Sequence, residues 1–189
     1  MTAKRKSQLP EDPMTVDEYL VWAESHPGKY ELQDGLVVAM AAERASHAEM
    51  KFAVQTELRR AIKAAKLNCH MLPDGMTVRT EDKTAYEPDA LVYCGQKLPG
   101  KELEVRNPVI VVEVLSPSTG RHDSTTKLEG YLGLPSLKHY MIVNSVTLRL
   151  VLHSPSADGI VRTQILSKGK VKLDPPGMDF NLDNVFSPA

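Results

Sequence analysis

A carboxylate in the middle of a strongly apolar run is the first residue in this chain that packing alone does not explain. Residues 109–115 read Val-Ile-Val-Val-Glu-Val-Leu, the near-continuous β-branched pattern of a central strand covered on both faces. Burying Glu113 ionised and unpaired would be strongly unfavourable, so it is ion-paired, protonated or bound to a cation. Asp89 is the second such residue. It follows Pro88, which holds Glu87 extended, and it opens the strand-like segment Asp-Ala-Leu-Val-Tyr-Cys over residues 89–94. Neighbouring strands lie about 4.8 Å apart, so two acids on paired strands could share one divalent ion.

Lys127 stands four residues after Asp123 and four before Tyr131, so the three fall on one face of a helix. Glu31 alternates with Tyr30 and Leu32 and faces opposite to both. His47 precedes Met50 by three and Val54 by seven, which puts it at the start of a helix's inward stripe. Each residue taken alone has an ordinary structural reading: a turn aspartate, a solvated lysine, an exposed strand glutamate, a hydrogen-bonded core histidine. Together they give three acids and a lysine, the last three placed strand, strand, helix. Phosphodiester hydrolysis uses such a set. Carboxylates bind Mg²⁺, a hard ion that prefers oxygen. The metal polarises the phosphate and acidifies water, and a lysine orients the water or stabilises charge developing on phosphorus.

The elements that must hold these residues can be read from the chain. Thr15-x-x-Glu18 is a capping-box pattern, followed by Val16, Tyr19, Leu20 and Ala23 at helical spacing and stopped at His26-Pro27-Gly28. Tyr30-Glu-Leu-Gln, Asp34-Gly35 and Leu36-Val-Val-Ala-Met spell a β-hairpin. Ser46-x-x-Glu49 is a second capping-box pattern. Met50, Val54, Leu58, Ile62 and Ala65 then form the clearest helical stripe, with Arg59, Lys63 and Lys66 on another face. Strands are predicted over 76–79, 89–94, 109–115, 139–143, 148–153 and 160–166. A short helix is predicted over 124–132, capped by Asp123. Residues 1–13 read as a flexible leader, residues 14–185 as a single domain, and the tail from Asp174 as irregular. The fold class is α/β, a mixed central sheet flanked by helices.

Composition excludes several classes. Lys plus Arg total 23 against 24 Asp plus Glu, a net charge of −1. The surface as a whole therefore does not attract nucleic acid, although a local basic patch such as Arg59, Lys63 and Lys66 still could. Cys69 and Cys94 are too few for a disulfide scaffold or a Cys-rich zinc site, and read as buried free thiols in a reducing compartment. The basic N-terminus has no apolar stretch behind it, and no run is long enough to span a bilayer. A soluble, cytoplasmic protein is expected, with no membrane partner.

Tyr30-Glu-Leu-Gln-Asp-Gly35, Pro88-Asp89, Val-Ile-Val-Val-Glu-Val-Leu-Ser-Pro-Ser-Thr over 109–119 and Asp123-x-x-x-Lys127-x-x-x-Tyr131 resemble the Uma-type restriction endonuclease family, a branch of the PD-(D/E)XK nuclease superfamily. The likeness runs from about residue 14 to about residue 185. It implies a restriction-endonuclease-like core and a Mg²⁺ site, with Mn²⁺ as a substitute. Asp89, Glu113 and the Val114 carbonyl would be ligands, Glu31 would support them, and Lys127 would activate water in the cleavage of DNA. The superfamily's lysine normally lies two residues after the acid; here Leu115 holds that place, and Lys127 matches a lysine moved to the following helix. His47 matches a histidine usual in the family, and His47 and Tyr131 are supporting candidates. The stretch over 137–144 lacks the family's usual Trp after Tyr140 and its usual Asp-Pro.

Double-strand cleavage would suit a homodimer, the commonest oligomer. The rival reading is a non-catalytic nucleic-acid-binding or regulatory module on the same fold, which the near-zero net charge and 5% aromatic content favour slightly. A two-carboxylate glycosidase is disfavoured by a single Trp and three Phe, too few for sugar platforms.

Overall fold

A computed structural model describes residues 9–115 and 121–186, with the side chains of residues 121–124 outside the description. Helix α1 (Val16–Glu24) starts with a full capping box: Glu18 N–H donates to the Thr15 hydroxyl, and Thr15 N–H donates to the Glu18 carboxylate at 2.8 Å. Strands β1 (Tyr30–Gln33) and β2 (Leu36–Ala39) follow. Their turn places Asp34 at φ 51° and Gly35 at φ 86°, the left-handed pair that a two-residue hairpin needs. Helix α2 (Ala45–Ala64) is the longest element, and Val54, Leu58 and Ile62 are its buried stripe. Burial of each such side chain contributes about 1.5–3 kcal/mol.

Strands β3 (Cys69–Pro73), β4 (Val78–Glu81), β5 (Thr84–Tyr86), β6 (Ala90–Cys94) and β7 (Ile110–Leu115) lead to helix α3 (Arg121–Leu132). Strands β8 (His139–Asn144), β9 (Arg149–Pro155), β10 (Val161–Leu166), β11 (Lys170–Leu173) and β12 (Met178–Asn181) and the short helix α4 (Asp183–Phe186) complete the chain. Six strands form the central sheet in the order β10-β9-β8-β7-β6-β3. It is mixed: β7 and β8 are parallel while its other pairs are antiparallel. Helix α3 supplies the crossover that a parallel pair requires. A second sheet has the order β2-β1-β5-β4 and a third is the β11-β12 hairpin.

Strand alternation sorts β7 between two layers. Ile110, Val112 and Val114 pack with Val54, Leu58 and Ile62 of α2. Val111 packs on the opposite face with Tyr131 of α3, Leu91 and Tyr140. Glu113 has the parity of Val111, so it faces the α3 layer. A third cluster joins α1 to the hairpin through Val16, Tyr19, Leu32 and Val37.

Four local expectations are corrected. Helix α2 begins at Ala45, with Arg44 at the cap position and no side-chain cap bond, so Ser46 lies inside the first turn and the second capping box does not form. That end of the helix is fixed by a tertiary contact, His47 on Val114. Helix α3 begins at Arg121, so Asp123 lies within it instead of capping it; the Asp123 side chain and residues 116–120 fall outside the described residues. The two cysteines are not free thiols: Cys69 and Cys94 form a disulfide. They oppose each other in the β3–β6 register, and β3, poor in β-branched residues, carried no strand signal to reveal it. Finally, irregularity is confined to the turn at 174–177. Beyond it Met178, Phe180, Leu182 and Val185 are buried, an alternating pattern that makes β12 and then α4. Strand β5 also went unread, being three residues long. Most of the leader expected over 1–13 lies outside the described residues. No helix among the described residues is long and apolar enough to cross a membrane.

The C-terminal segment is tied to α2 by one buried acid. Glu57 is 2% exposed. It accepts from the Asn181 N–H at 2.8 Å, from Asn184 Nδ2 at 2.8 Å and from Arg60 at 2.6 Å. Glu57→Ala would remove the partner of the Asn181 N–H and the Asn184 amide and is expected to cost about 1–3 kcal/mol, read as a lower urea midpoint with an unchanged slope. A loss under about 0.5 kcal/mol would show that these bonds do not hold the segment.

Candidate active site

The site forms where β6 and β7 stop pairing. Their ladder ends at Ala90 opposite Val112. One step further, side chains replace the missing strand and satisfy both backbone groups of Val114. The Val114 N–H donates to Asp89 Oδ2 at 2.7 Å, and the Val114 carbonyl accepts from His47 Nε2 at 2.6 Å. This fixes the histidine tautomer, since only a protonated Nε2 can donate to a carbonyl. The antiparallel register extended by one residue sets Asp89 beside Glu113.

Glu113 is received by helix α3. Lys127 Nζ lies 3.3 Å from Glu113 Oε1, and the Tyr131 hydroxyl donates to the same oxygen at 3.0 Å. The spacing of four residues points both groups at one acid. Gly130 lets the helix come this close: a Cβ there would meet Thr80 at 3.2 Å and the Tyr86 ring at 3.3 Å. Lys127 also bonds Glu31 Oε1 at 2.7 Å and stands 5.3 Å from the Tyr86 ring centroid. Glu31 arrives because β1 pairs with β5, the strand just before Pro88-Asp89. It is 4% exposed and accepts from the Glu87 N–H at 3.2 Å.

Helix α2 supplies the opposite wall. His47 lies 3.8 Å from both Asp89 and Glu43, and ligand atoms of Glu43, His47 and Asp89 lie within 4.8 Å of one another. Lys51 is 5% exposed. It is bonded to Glu43, lies 3.0 Å from Asp74 and sits 3.6 Å from Asp89 Oδ1. Lys29 pairs with Asp74 and, at 3.1 Å, with Glu43.

Six carboxylates, those of Glu31, Glu43, Asp74, Glu87, Asp89 and Glu113, thus gather around three ammonium groups, those of Lys29, Lys51 and Lys127. With all ionised and His47 neutral, three negative charges are unbalanced. Burial pushes Glu113 up to about 8, with Asp89 and Glu31 adding to the shift and Lys127 opposing it. Burial raises Glu87 to about 7, helped by Glu31. Burial also raises Asp89 against the pull of the Val114 N–H. For Lys51, burial works against the charge, but Glu43 and Asp74 outweigh it and hold the ammonium above its usual value. A hard divalent cation fits this donor set. Among the described residues, Glu113 Oε2 accepts no hydrogen bond, and Asp89 Oδ1, which accepts none either, lies 3.6 Å from the Lys51 ammonium.

The structure brings together every residue that the sequence singled out: Glu31, His47, Asp89, Glu113, Val114, Lys127 and Tyr131. The pairing of Asp123 with Lys127 falls outside the described side chains. Arg59, Lys63 and Lys66 are exposed on α2 and its C-terminal edge, apart from these contacts. Sequence reasoning missed Lys51, Glu43, Asp74, Glu87 and Lys29. The first two carried a signal, since Glu43, His47 and Lys51 recur every four residues. Asp74 reads as an ordinary turn residue in Pro73-Asp74-Gly75, and nothing local marks Lys29.

Comparisons with known proteins bear on the family and the fold. A family model described as "Uma2: Putative restriction endonuclease" matches residues 16–183. A Synechocystis protein, "Uncharacterized protein slr1290", is 27% identical over 187 residues, covering 92% of this chain and 91% of its own. A second, "Uncharacterized protein sll1609", is 24% identical over 139 residues, covering 72% of this chain and 78% of its own. Among solved structures, "a putative nuclease belonging to DUF820" from Anabaena variabilis superposes with a TM-score of 0.69 at 14% identity, covering 92% of this chain and 98% of that one. That likeness carries the fold, a mixed sheet between helices, while the match over residues 16–183 carries the kinship: this chain belongs to the Uma2 family.

Proposed function

We propose that the chain is a Mg²⁺-dependent endonuclease that hydrolyses DNA phosphodiester bonds, with Mn²⁺ able to replace Mg²⁺. The observation that carries this reading is the meeting of Asp89 and Glu113 at the end of the β6–β7 ladder, each with an oxygen that accepts no hydrogen bond and with excess negative charge around them. Asp89 and Glu113 hold the ion, the Val114 carbonyl offers its second lone pair, and Glu31 supports the site through Lys127. A bound divalent ion supplies charge neutralisation on the phosphate and lowers the pKa of nearby water.

The remaining work falls to the chain's own side chains. Tyr131 holds Glu113 Oε1, which leaves the other oxygen without a hydrogen-bond donor. Glu31 fixes the Lys127 ammonium 3.3 Å from Glu113, where it can orient the attacking water and stabilise negative charge on phosphorus. His47 locks the Val114 backbone and, through it, the position of Asp89. Support for a nucleic-acid substrate comes from the family match, and the choice of DNA rests on the restriction-endonuclease description.

Two measurements test this reading. In a supercoiled-plasmid assay with Mg²⁺, Asp89→Ala is expected to abolish nicking, Lys127→Ala to slow it by about 100-fold or more, and chelator to stop it. Plasmid binding by wild type without cleavage would favour the non-catalytic module instead. The second measurement is pH-dependent stability without metal. Glu113 ionises near its usual 4.5 when unfolded and near 8 when folded. Its contribution is therefore complete below pH 4.5 and lost as the pH climbs toward 8. Between pH 5 and 8 the melting temperature of wild type is expected to fall relative to Glu113→Gln, and added Mg²⁺ to remove the deficit. Parallel pH curves for the two proteins would refute the assignment.

A further inference from the structure

Lys51 is a lysine almost fully buried against carboxylates, and the proposed chemistry does not use it. It stands on the buried face of α2, and its ammonium reaches Glu43, Asp74 and Asp89. A surface lysine would lose little by staying in water, and burial of a charge is unfavourable unless it is well paired. The pairing here is complete: three acids, with Lys29 closing a ring of alternating charge through Glu43 and Asp74.

The place Lys51 fills is informative. Glu43, His47 and Asp89 are spaced as three ligands of one cation would be, a group that does not include Glu113. Lys51 binds two of the three: it is bonded to Glu43 Oε1 and lies 3.6 Å from Asp89 Oδ1. A second divalent ion next to the first would therefore meet an ammonium already held by its carboxylates. Charge balance points the same way. One divalent ion reduces the excess of three negative charges to one; a second would overshoot to a positive site.

We propose that the Lys51 ammonium occupies the second cation position of this site, so that the chain takes one divalent ion, between Asp89 and Glu113, where two would otherwise bind. Lys51 is then a positioning residue: it holds Asp89 Oδ1 from one side and sets the metal count. The inference rests on the metal-site reading of Asp89 and Glu113.

The test is a count of bound Mn²⁺ by titration followed with electron paramagnetic resonance, on wild type and Lys51→Met, with circular dichroism to establish folding. Lys51→Gln serves as a second variant should the methionine protein not fold. Wild type is expected to bind one ion with an isolated-ion spectrum, and the neutral variant to bind two, with the broadened signal of a coupled pair. Lys51→Arg, which keeps the charge, is expected to bind one. Two ions in wild type would overturn the role of Lys51 while leaving the metal site in place, and so would a single ion in a folded neutral variant. No bound ion in wild type would instead remove the metal-site reading itself, and this inference with it.

Discussion

Val114 is the point at which backbone pairing gives way to chemistry. Its N–H and carbonyl are satisfied by Asp89 and His47, not by a neighbouring strand. Ending a ladder inside a protein leaves polar backbone groups that must find partners. Here the partners are Asp89 and His47, so the β6–β7 ladder ends in side chains of the candidate site while β7 stays paired with β8. A small change in the β6–β7 register would break both bonds together and move Asp89 away from Glu113. Two apolar layers hold that register, α2 on one face and α3 on the other, and the position of the acids inherits their rigidity.

The second constraint is electrostatic. Carboxylates crowded together out of water repel one another, and lysines at three points keep the repulsion within limits. Each lysine is shared between acids from different elements: Lys127 joins β1 to β7, and Lys51 joins α2 to the loop after β3 and to the start of β6. The small sheet and the large sheet are thus connected through charged side chains as well as through the chain itself. Burial, with neighbouring acids adding to it, raises Glu113 and Glu87, as expected of carboxylates held out of water beside like charges.

Much of this was legible in the sequence, because the informative residues broke strong local patterns. Glu113 interrupts a β-branched run, and Lys127 and Tyr131 sit one helical turn apart, so their meeting followed from periodicity. The hairpin announced itself through Asp34-Gly35, and α1 through Thr15 and Glu18. What stayed hidden depended on pairing over distance. Nothing local to Cys69 says that Cys94 lies opposite, because β3 lacks the composition of a strand. Glu31 could be suspected, but the β1–β5 pairing that carries it to Lys127 is a tertiary fact. Lys51 looked like any helical lysine, since its burial depends on Asp74 and Asp89 from elsewhere in the fold. At Ser46 the local signal was misleading, because a contact from His47 to another element fixed the helix end instead of a cap.

The bonds that Glu57 makes to Asn181 and Asn184 span 124 and 127 residues of sequence. Glu57 lies on the same helix as His47 and Lys51, so the helix that forms one wall of the site is completed by residues far downstream of it. During synthesis, a nascent chain that has already released Glu31, Asp89, Glu113 and Lys127 from the ribosome still lacks the partners that hold α2 in place. The order of translation therefore delays assembly of the candidate site until residues 181–184 have been made. A prematurely terminated product would carry every acid and lysine of the site without the frame that aligns them.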